Sequence, residues 1–376
     1  MKKYVFVAND FGFGPISRAL TVAQTIKKKS VSQDVNISFI TSGFSDHLID
    51  PEFKIIKVAN LRCVNNLRKV LSGLDDCSII VSSANRFALT VSKQLGLKTI
   101  LLDGLYWFWQ KRPSEYETAD IEICCVLPWL VDEFKYKHKD KIIVASPIEV
   151  PAHGLERNSV AWDSTFNIGG YVNPFHHHSH DVYLDLLGIA LNTMQKNNGT
   201  ILVATSEYCR DYLQENHRFA KSITLQCPNK DEYQAILQET KSVWLNGGSN
   251  SILEVLALEI PFYLFMPSNL SQYNLISNIS EYLTIPVENL CPLLSYMSNH
   301  NQLKDCESEE EAIKIIADMI SRLILKIMPE NLDQLIWSLY SKSSSLLDNQ
   351  QGVVKLRKEA QKSLTSSGMI ADIIMS

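Results

Sequence analysis

A two-domain α/β protein built on doubly wound parallel sheets is predicted by three features of the sequence. The chain has 376 residues, more than a single hydrophobic core usually serves. Short apolar runs alternate with helical patterns along most of it, and strands that alternate with helices wind into parallel sheets through crossover connections. A stretch bearing Pro151, Gly154, Gly169-Gly170 and Pro174, residues 151–179, interrupts the alternation and is the expected hinge.

The first strand is expected at Tyr4 to Ala8. Its basic start has the look of a signal peptide, but the apolar run is too short for one and breaks at Asn9-Asp10. Ile37 to Thr41, Ile55 to Val58, Ile79 to Val81, Thr99 to Leu102, Ile121 to Val126 and Ile142 to Ala145 continue the series as runs suited to strands covered on both faces. Helices fall between them at Ile16 to Lys28, Cys63 to Ser72 and Arg86 to Leu95. A second series follows the hinge, with strands at Thr200 to Ala204, Ser222 to Gln226, Ser242 to Asn246 and Pro261 to Met266. Its helices are expected at Asp231 to Glu239, Ile252 to Leu258 and Gln272 to Tyr282. From Ser308 onward the chain reads as helical, with Glu309-Glu310-Glu311 as a solvated helix start favoured by the dipole.

Composition narrows the class. Hydrophobic residues at 45% and charged residues at 20% are ordinary for a soluble globular enzyme. A net charge of −5 with no long basic stripe argues against a general nucleic-acid binder, whose affinity rests on clustered Lys and Arg. The eight cysteines show no CxxC spacing, and Cys124-Cys125 lies in an apolar run as core thiols, which points to a reducing cytoplasm. No run of 18 apolar residues is present, so no transmembrane segment is expected. The oligomeric state is left open.

The most informative segment is Val243-Trp244-Leu245-Asn246-Gly247-Gly248-Ser249-Asn250-Ser251, running into a helix that carries Glu254. A strand, a glycine turn and a helix start form a phosphate cradle: glycines let backbone N–H groups approach an anion, and the helix end adds unpaired donors and a positive dipole end. Ser249 and Ser251 add hydroxyls. No lysine is adjacent, so this is not a Walker-type loop, and a diphosphate held by backbone dipoles fits better. A second glycine turn, Gly12-Phe13-Gly14-Pro15, follows the first strand and leads to Arg18. It lacks the third glycine of a dinucleotide fingerprint, which lowers the NAD reading.

Together the two turns resemble the GT-B superfamily of glycosyltransferases, in the branch of the UDP-glycosyltransferases and lipid II N-acetylglucosaminyltransferases. The resemblance is carried by Gly12-Phe13-Gly14 with Arg18, by Gly247 to Glu254, by Ala257-Leu258-Glu259-Ile260-Pro261 and by Phe265-Met266-Pro267 followed by Gln272-Tyr273-Asn274. It implies two Rossmann-like domains facing a cleft. Residues 1–165 would bind the acceptor and 166–325 the nucleotide sugar, with helices in 326–376 packing back on the N-terminal domain. Gly247, Gly248, Ser249, Asn250 and Ser251 would hold the diphosphate of a nucleotide sugar, most simply a UDP-sugar. Glu254 would accept from ribose hydroxyls, as a carboxylate suits a vicinal diol, and Gln272 would contact the sugar. No metal or further cofactor is implied.

One departure stands out. Where the family commonly carries a histidine after the second glycine, this chain has Pro15, which cannot accept a proton. Asp10 and Asp103, each at the end of an expected strand, are the candidate replacement bases. Arg18 is a candidate for a phosphate or an acidic acceptor. The run Leu105-Tyr106-Trp107-Phe108-Trp109 is an expected acceptor surface, with Tyr106, Trp107 and Trp109 offering flat faces. Glycosyl transfer to a small-molecule or peptide acceptor, inverting and metal-independent, is the leading expectation. Nucleotide-sugar hydrolysis and a non-catalytic binding role remain as alternatives. The histidines in 176–180 read as a solvated connector rather than a metal site.

Overall fold

The computed structural model describes residues 2–30, 35–109, 111–150, 160–171, 181–195, 199–297, 300–306, 308–326, 334, 338 and 350–376. It divides into two compact units: Met1–Glu149 with Lys358–Ser376, and Val150–Arg357.

The first unit is a seven-stranded sheet. Its strands are β1 (Lys2–Ala8), β2 (Val35–Thr41), β3 (Lys54–Lys57), β4 (Ser78–Ser83), β5 (Lys98–Asp103), β6 (Ile121–Val126) and β7 (Ile142–Ala145), in the order β3-β2-β1-β4-β5-β6-β7. Every pairing is parallel. The helices are α1 (Gly14–Lys29), α2 (Val64–Leu71), α3 (Arg86–Gln94) and α4 (Val131–Lys137). Alternation along β1 shows why both faces must be covered. Tyr4 and Phe6 join a cluster with Phe39 and with Ile16, Leu20 and Ile26 of α1, while Val5 and Val7 join Leu67 and Leu71 of α2 and Val91 of α3. Phe6 stacks on Phe39 with ring centroids 5.2 Å apart.

The second unit holds β8 (Ser164–Gly169), β9 (Ile201–Thr205), β10 (Ile223–Gln226), β11 (Val243–Leu245) and β12 (Phe262–Leu264), in the parallel order β10-β9-β8-β11-β12. Helices α5 (Val182–Gln195), α6 (Glu207–Asn216), α7 (Lys230–Gln238), α8 (Ser249–Ala257), α9 (Leu270–Leu283), α10 (Val287–Leu290) and α11 (Glu309–Lys326) accompany them. In α12 (Gln350–Met375) the residues from Lys358 onward group with the first unit, where Ile370, Ala371 and Ile374 complete the cluster around Tyr4 and Phe6.

Three sequence expectations change. The domain division falls after Glu149 rather than at 165, because residues 161–164 already hydrogen-bond to Glu239 and Thr200 of the second unit. Within the expected hinge, Ser164–Gly169 is the central strand β8, paired on both sides. The acidic helix start is not wholly solvated: Glu309 is half-buried and accepts from the N–H groups of Leu270 and Ser271, so one carboxylate caps the start of α9 beside Asn269. Helices α4, α5, α6 and α10 lie where the sequence reading assigned none. The part of the expected C-terminal helical region between α11 and α12 lies almost wholly outside the described residues.

All eight cysteines are unpaired thiols, and Cys124 and Cys125 are fully buried. Among the described residues no helix is long and apolar enough to cross a membrane.

Candidate functional site

Each sheet reverses its winding beside its central strand, between β1 and β4 in the first unit and between β8 and β11 in the second. At such a reversal the helices diverge to opposite faces, and the crevice at the strands' carboxyl ends receives ligands. Both glycine turns sit there: one follows β1, the other follows β11.

In the second unit Gly247 has φ +93°, a left-handed conformation that an L side chain resists. Added bulk there would press to 3.3 Å against the Gln272 backbone and side chain and against Ile276. Gly248 differs: its backbone is extended, and a Cβ would meet only ordinary contacts with Asn246 and Ser251 at 3.8 and 3.9 Å. The fold therefore needs glycine at 247 and leaves the space beside 248 empty. Gly248 is also the N-cap of α8 and supplies no side-chain cap, whereas α3, α6, α7 and α9 are each capped by an Asn or Ser. The first intrahelical bond runs from Ile252 N–H to the Gly248 carbonyl, 3.0 Å, so the N–H groups of Ser249, Asn250 and Ser251 have no partner within the helix.

Side chains frame this open end. Asn167, at the end of β8, donates from Nδ2 to Ser251 Oγ at 3.1 Å and to the Tyr233 hydroxyl, while its Oδ1 accepts from Gly169 N–H at 2.8 Å. Asn246 Nδ2 donates to the Ile168 carbonyl at 3.2 Å, tying β11's exit to β8's. Ser251 thus has its oxygen fixed and its hydroxyl proton available. Asn250 Oδ1 is buried and accepts no hydrogen bond among the described residues. Gln272 Oε1 accepts from Ser268 N–H at 2.6 Å and Ser268 Oγ at 3.0 Å, which orients its amide NH2 away from that loop, on a side chain packed at Gly247. Glu254 is half-buried on the first turns of α8 and within electrostatic reach of Tyr233, whose hydroxyl burial holds well above its ordinary value. The expected cradle residues Gly247, Gly248, Ser249, Asn250, Ser251, Glu254 and Gln272 therefore gather on one carboxyl edge. Asn167, Tyr233 and Asn246 complete the frame. Asn246 belongs to the strand-and-turn segment read from sequence, whereas Asn167 and Tyr233 were not expected there, because β8 lies in the stretch that reads as a hinge.

In the first unit Gly12 has φ +72°, and Phe13 opens α1 without a side-chain cap. The Phe13 ring lies 5.3 Å from Phe44 and 5.3 Å, edge-on, from His47, a titratable side chain far off in sequence that the motif reading did not reach. Ser83 Oγ donates to the Pro15 carbonyl at 2.8 Å and fixes the turn to β4. At the end of β4, Ala84 holds φ +57°, and its carbonyl accepts from Asn9 Nδ2 and the Tyr116 hydroxyl. Asp10 stands partly exposed on this edge, with Ser42 Oγ at 3.4 Å and Arg62 Nε at 3.5 Å.

Asp103 does not suit a proton acceptor. It is 0% exposed, and its oxygens already accept from Leu105 N–H (3.1 Å), Trp109 Nε1 (3.2 Å), and Arg112 Nε (3.2 Å) and Nη2 (2.9 Å). Burial pushes its carboxyl above the usual range, while Arg112 pulls it down. Arg112 bridges on to Glu122, which also pairs with Lys141 at 2.8 Å, and its guanidinium lies 4.8 Å from the Tyr106 ring centroid. Tyr106 is itself buried, in a cluster with Cys124, Val126 and Ile143. Asp103 and Tyr106, with the half-buried Trp109 donating to Asp103, thus pin the loop after β5, and Asp103 and Tyr106 are buried where a reacting carboxylate and an open aromatic face were expected from sequence. Trp107, Phe108 and Trp109 stay partly exposed. Among the described residues no group of three His, Cys, Asp or Glu is arranged to hold a metal, and residues 176–180 lie outside them.

No protein-family model matches the sequence, and no curated protein matches it. Solved structures do match. The Medicago truncatula protein UGT71G1, crystallised with UDP-glucose, superposes with a TM-score of 0.51 at 12% identity, covering 100% of this chain and 98% of its own. The spinosyn rhamnosyltransferase SpnG superposes with a TM-score of 0.50 at 11% identity, covering 100% of each chain. At such identities the likeness is one of fold: two parallel doubly wound units of the GT-B type.

Two expectations follow from these contacts. Gly247→Ala should lower stability by about 1–2 kcal/mol because of its positive φ, whereas Gly248→Ala should fall within about 0.5 kcal/mol of wild type; urea unfolding of both variants distinguishes them. Asp103→Ala, which leaves Arg112 its Glu122 partner but removes the acceptor for Leu105 N–H, Trp109 Nε1 and Arg112, should cost about 2–3 kcal/mol. A negligible change would mean that the carboxylate is not the pin of its loop.

Proposed function

We propose that this protein is a cytoplasmic glycosyltransferase that moves a sugar from a nucleotide diphosphate sugar, a UDP-sugar in the simplest case, to a small-molecule or peptide acceptor. The observation that carries the reading is the uncapped start of α8 behind Gly247 and Gly248, at the winding reversal of the second sheet. A diphosphate fits its geometry: the N–H groups of Ser249 to Ser251, without partners among the described residues, and the hydroxyls of Ser249 and Ser251 stabilise two negative phosphates with fixed dipoles. Glu254, one turn on, takes the ribose diol, and the Gln272 amide and Asn250 Oδ1 take sugar hydroxyls. The UDP-glucose of the Medicago structure lends weight to uridine as the base.

Transfer proceeds by attack of an acceptor hydroxyl oxygen on the anomeric carbon, with inversion. The bond from that carbon to the β-phosphate oxygen breaks, and the nucleoside diphosphate leaves with its charge held by the α8 donors. Asp10, the accessible carboxylate at the carboxyl end of β1, receives the hydroxyl proton. Because backbone dipoles carry the departing charge, no metal ion is required, and the eight unpaired thiols suit a reducing compartment.

Thermal unfolding of the purified protein with a panel of nucleotides and nucleotide sugars tests the donor site. UDP or a UDP-sugar should raise Tm, Glu254→Ala should abolish the rise, and Gly248→Ala should weaken binding by about tenfold or more. Asp10→Asn should lower kcat by about 10²–10⁴-fold with UDP binding retained, and EDTA should leave turnover unchanged. No shift with any nucleotide diphosphate would contradict the reading, and release of free sugar without an acceptor would identify hydrolysis instead.

A further inference from the structure

Arg18 is the one charged side chain on the first turns of α1, and it is 3% exposed. Its Nε is fully buried without an acceptor, and among the described residues no carboxylate or carbonyl forms a hydrogen bond with its guanidinium. The chain makes room for it: Gly104, directly after β5, has no Cβ, and one placed there would lie 1.8 Å from Arg18 Nη1. The guanidinium therefore lies against the backbone at the carboxyl edge of the sheet, at the root of the loop that carries Trp107. That residue's indole Nε1 is a second buried donor without an acceptor.

The neighbouring groups are already committed. Asp103 is saturated by Leu105, Trp109 and Arg112. Glu122 is shared between Arg112 and Lys141. Burial pushes the Cys125 thiol up to about 12, so it brings no negative charge at neutral pH. Arg112 hydrogen-bonds to both carboxylates and the partly exposed Lys141 pairs with Glu122, so Arg18 senses Asp103 only through space and is the guanidinium without a hydrogen-bonded partner among the described residues. A buried guanidinium stays charged, and leaving its donors without an acceptor opposes folding. A bound anion removes that cost.

We infer that Arg18 anchors an oxyanion site in the N-terminal unit and that the acceptor bears a carboxylate or phosphate group bound there. This rests on the glycosyltransferase reading above. The planar fork of the guanidinium matches two oxygens of either group, and position at the carboxyl edge of β5 puts the anion where an open α/β sheet binds ligands.

The test is thermal unfolding of the full-length protein titrated with inorganic phosphate and, separately, with sodium benzoate, at constant ionic strength set by chloride. Wild type should gain about 2 °C or more, saturably, with at least one of them. The larger response distinguishes a phosphorylated from a carboxylated acceptor. Arg18→Met should lose that gain, keep its response to UDP, and be at least as stable as wild type in chloride alone, because a buried charge without a hydrogen-bonded acceptor has been replaced by an apolar chain of similar length. Should Arg18→Met fail to fold, Arg18→Lys keeps the charge without the fork and should bind the anion at least about tenfold more weakly. No anion response in wild type, or an equal response in the variant, would overturn the inference. So would a several-degree loss of Arg18→Met stability in chloride, since Arg18 would then be a structural support. Absence of a UDP response in wild type would instead count against the glycosyltransferase reading.

Discussion

Parallel pairing brings the carboxyl end of every strand to one edge of its sheet, and the reversal of winding beside β1 and β8 opens that edge where the helices part. Much else in the molecule follows from this constraint. A chain leaving a buried strand there must turn at once into a helix, and the turn exposes N–H groups that the helix cannot satisfy. At β11 the turn is made by Gly247 in a left-handed conformation, and the following N-cap is a glycine that offers no oxygen. Among the described residues no side-chain cap closes these donors.

The two units surround their winding reversals with different electrostatics. In the second, neutral groups frame the turn: Asn167, Asn246, Ser251, Tyr233 and Gln272 hold one another through amide and hydroxyl contacts, with Glu254 as the nearby carboxylate. Such a frame keeps the dipole field of α8 uncancelled for an incoming anion. In the first unit the loop after β5 is fixed instead by charge, with Asp103, Arg112, Glu122 and Lys141 linked in series beneath Tyr106 and Tyr116. Buried ion pairs are poor sources of stability but demanding in geometry. Here they hold a loop rich in aromatic residues in one position.

The inner strands of the first sheet were legible because each is an apolar run long enough to declare burial on both faces, as Tyr4 to Ala8 and Ile121 to Val126 illustrate. The β11–α8 turn was legible because glycines at a strand's end have few other uses. Strand β8 was not, since Ser164-Thr165-Phe166-Asn167-Ile168-Gly169 carries only two large apolar residues and ends at glycines that read as a hinge. Asp103 shows the limit for site residues. A carboxylate at a strand's end looks alike in sequence whether solvent or an arginine nine residues later occupies its lone pairs, and only the fold of 104–112 decides. For Arg18 the sequence offered an anion as ligand but not its burial: the missing Cβ of Gly104, distant in sequence, is what admits it to the interior.

The central claim is that the α8 start behind Gly247 receives a diphosphate on its backbone donors. Hydrogen–deuterium exchange of the intact protein with and without saturating UDP addresses those N–H groups themselves. The account predicts slowed exchange concentrated in 246–256 and at 167–169, with the Gly12 turn unchanged by UDP alone. Saturating UDP that leaves 246–256 exchanging as fast as before, or that protects the Gly12 turn in its place, would contradict it.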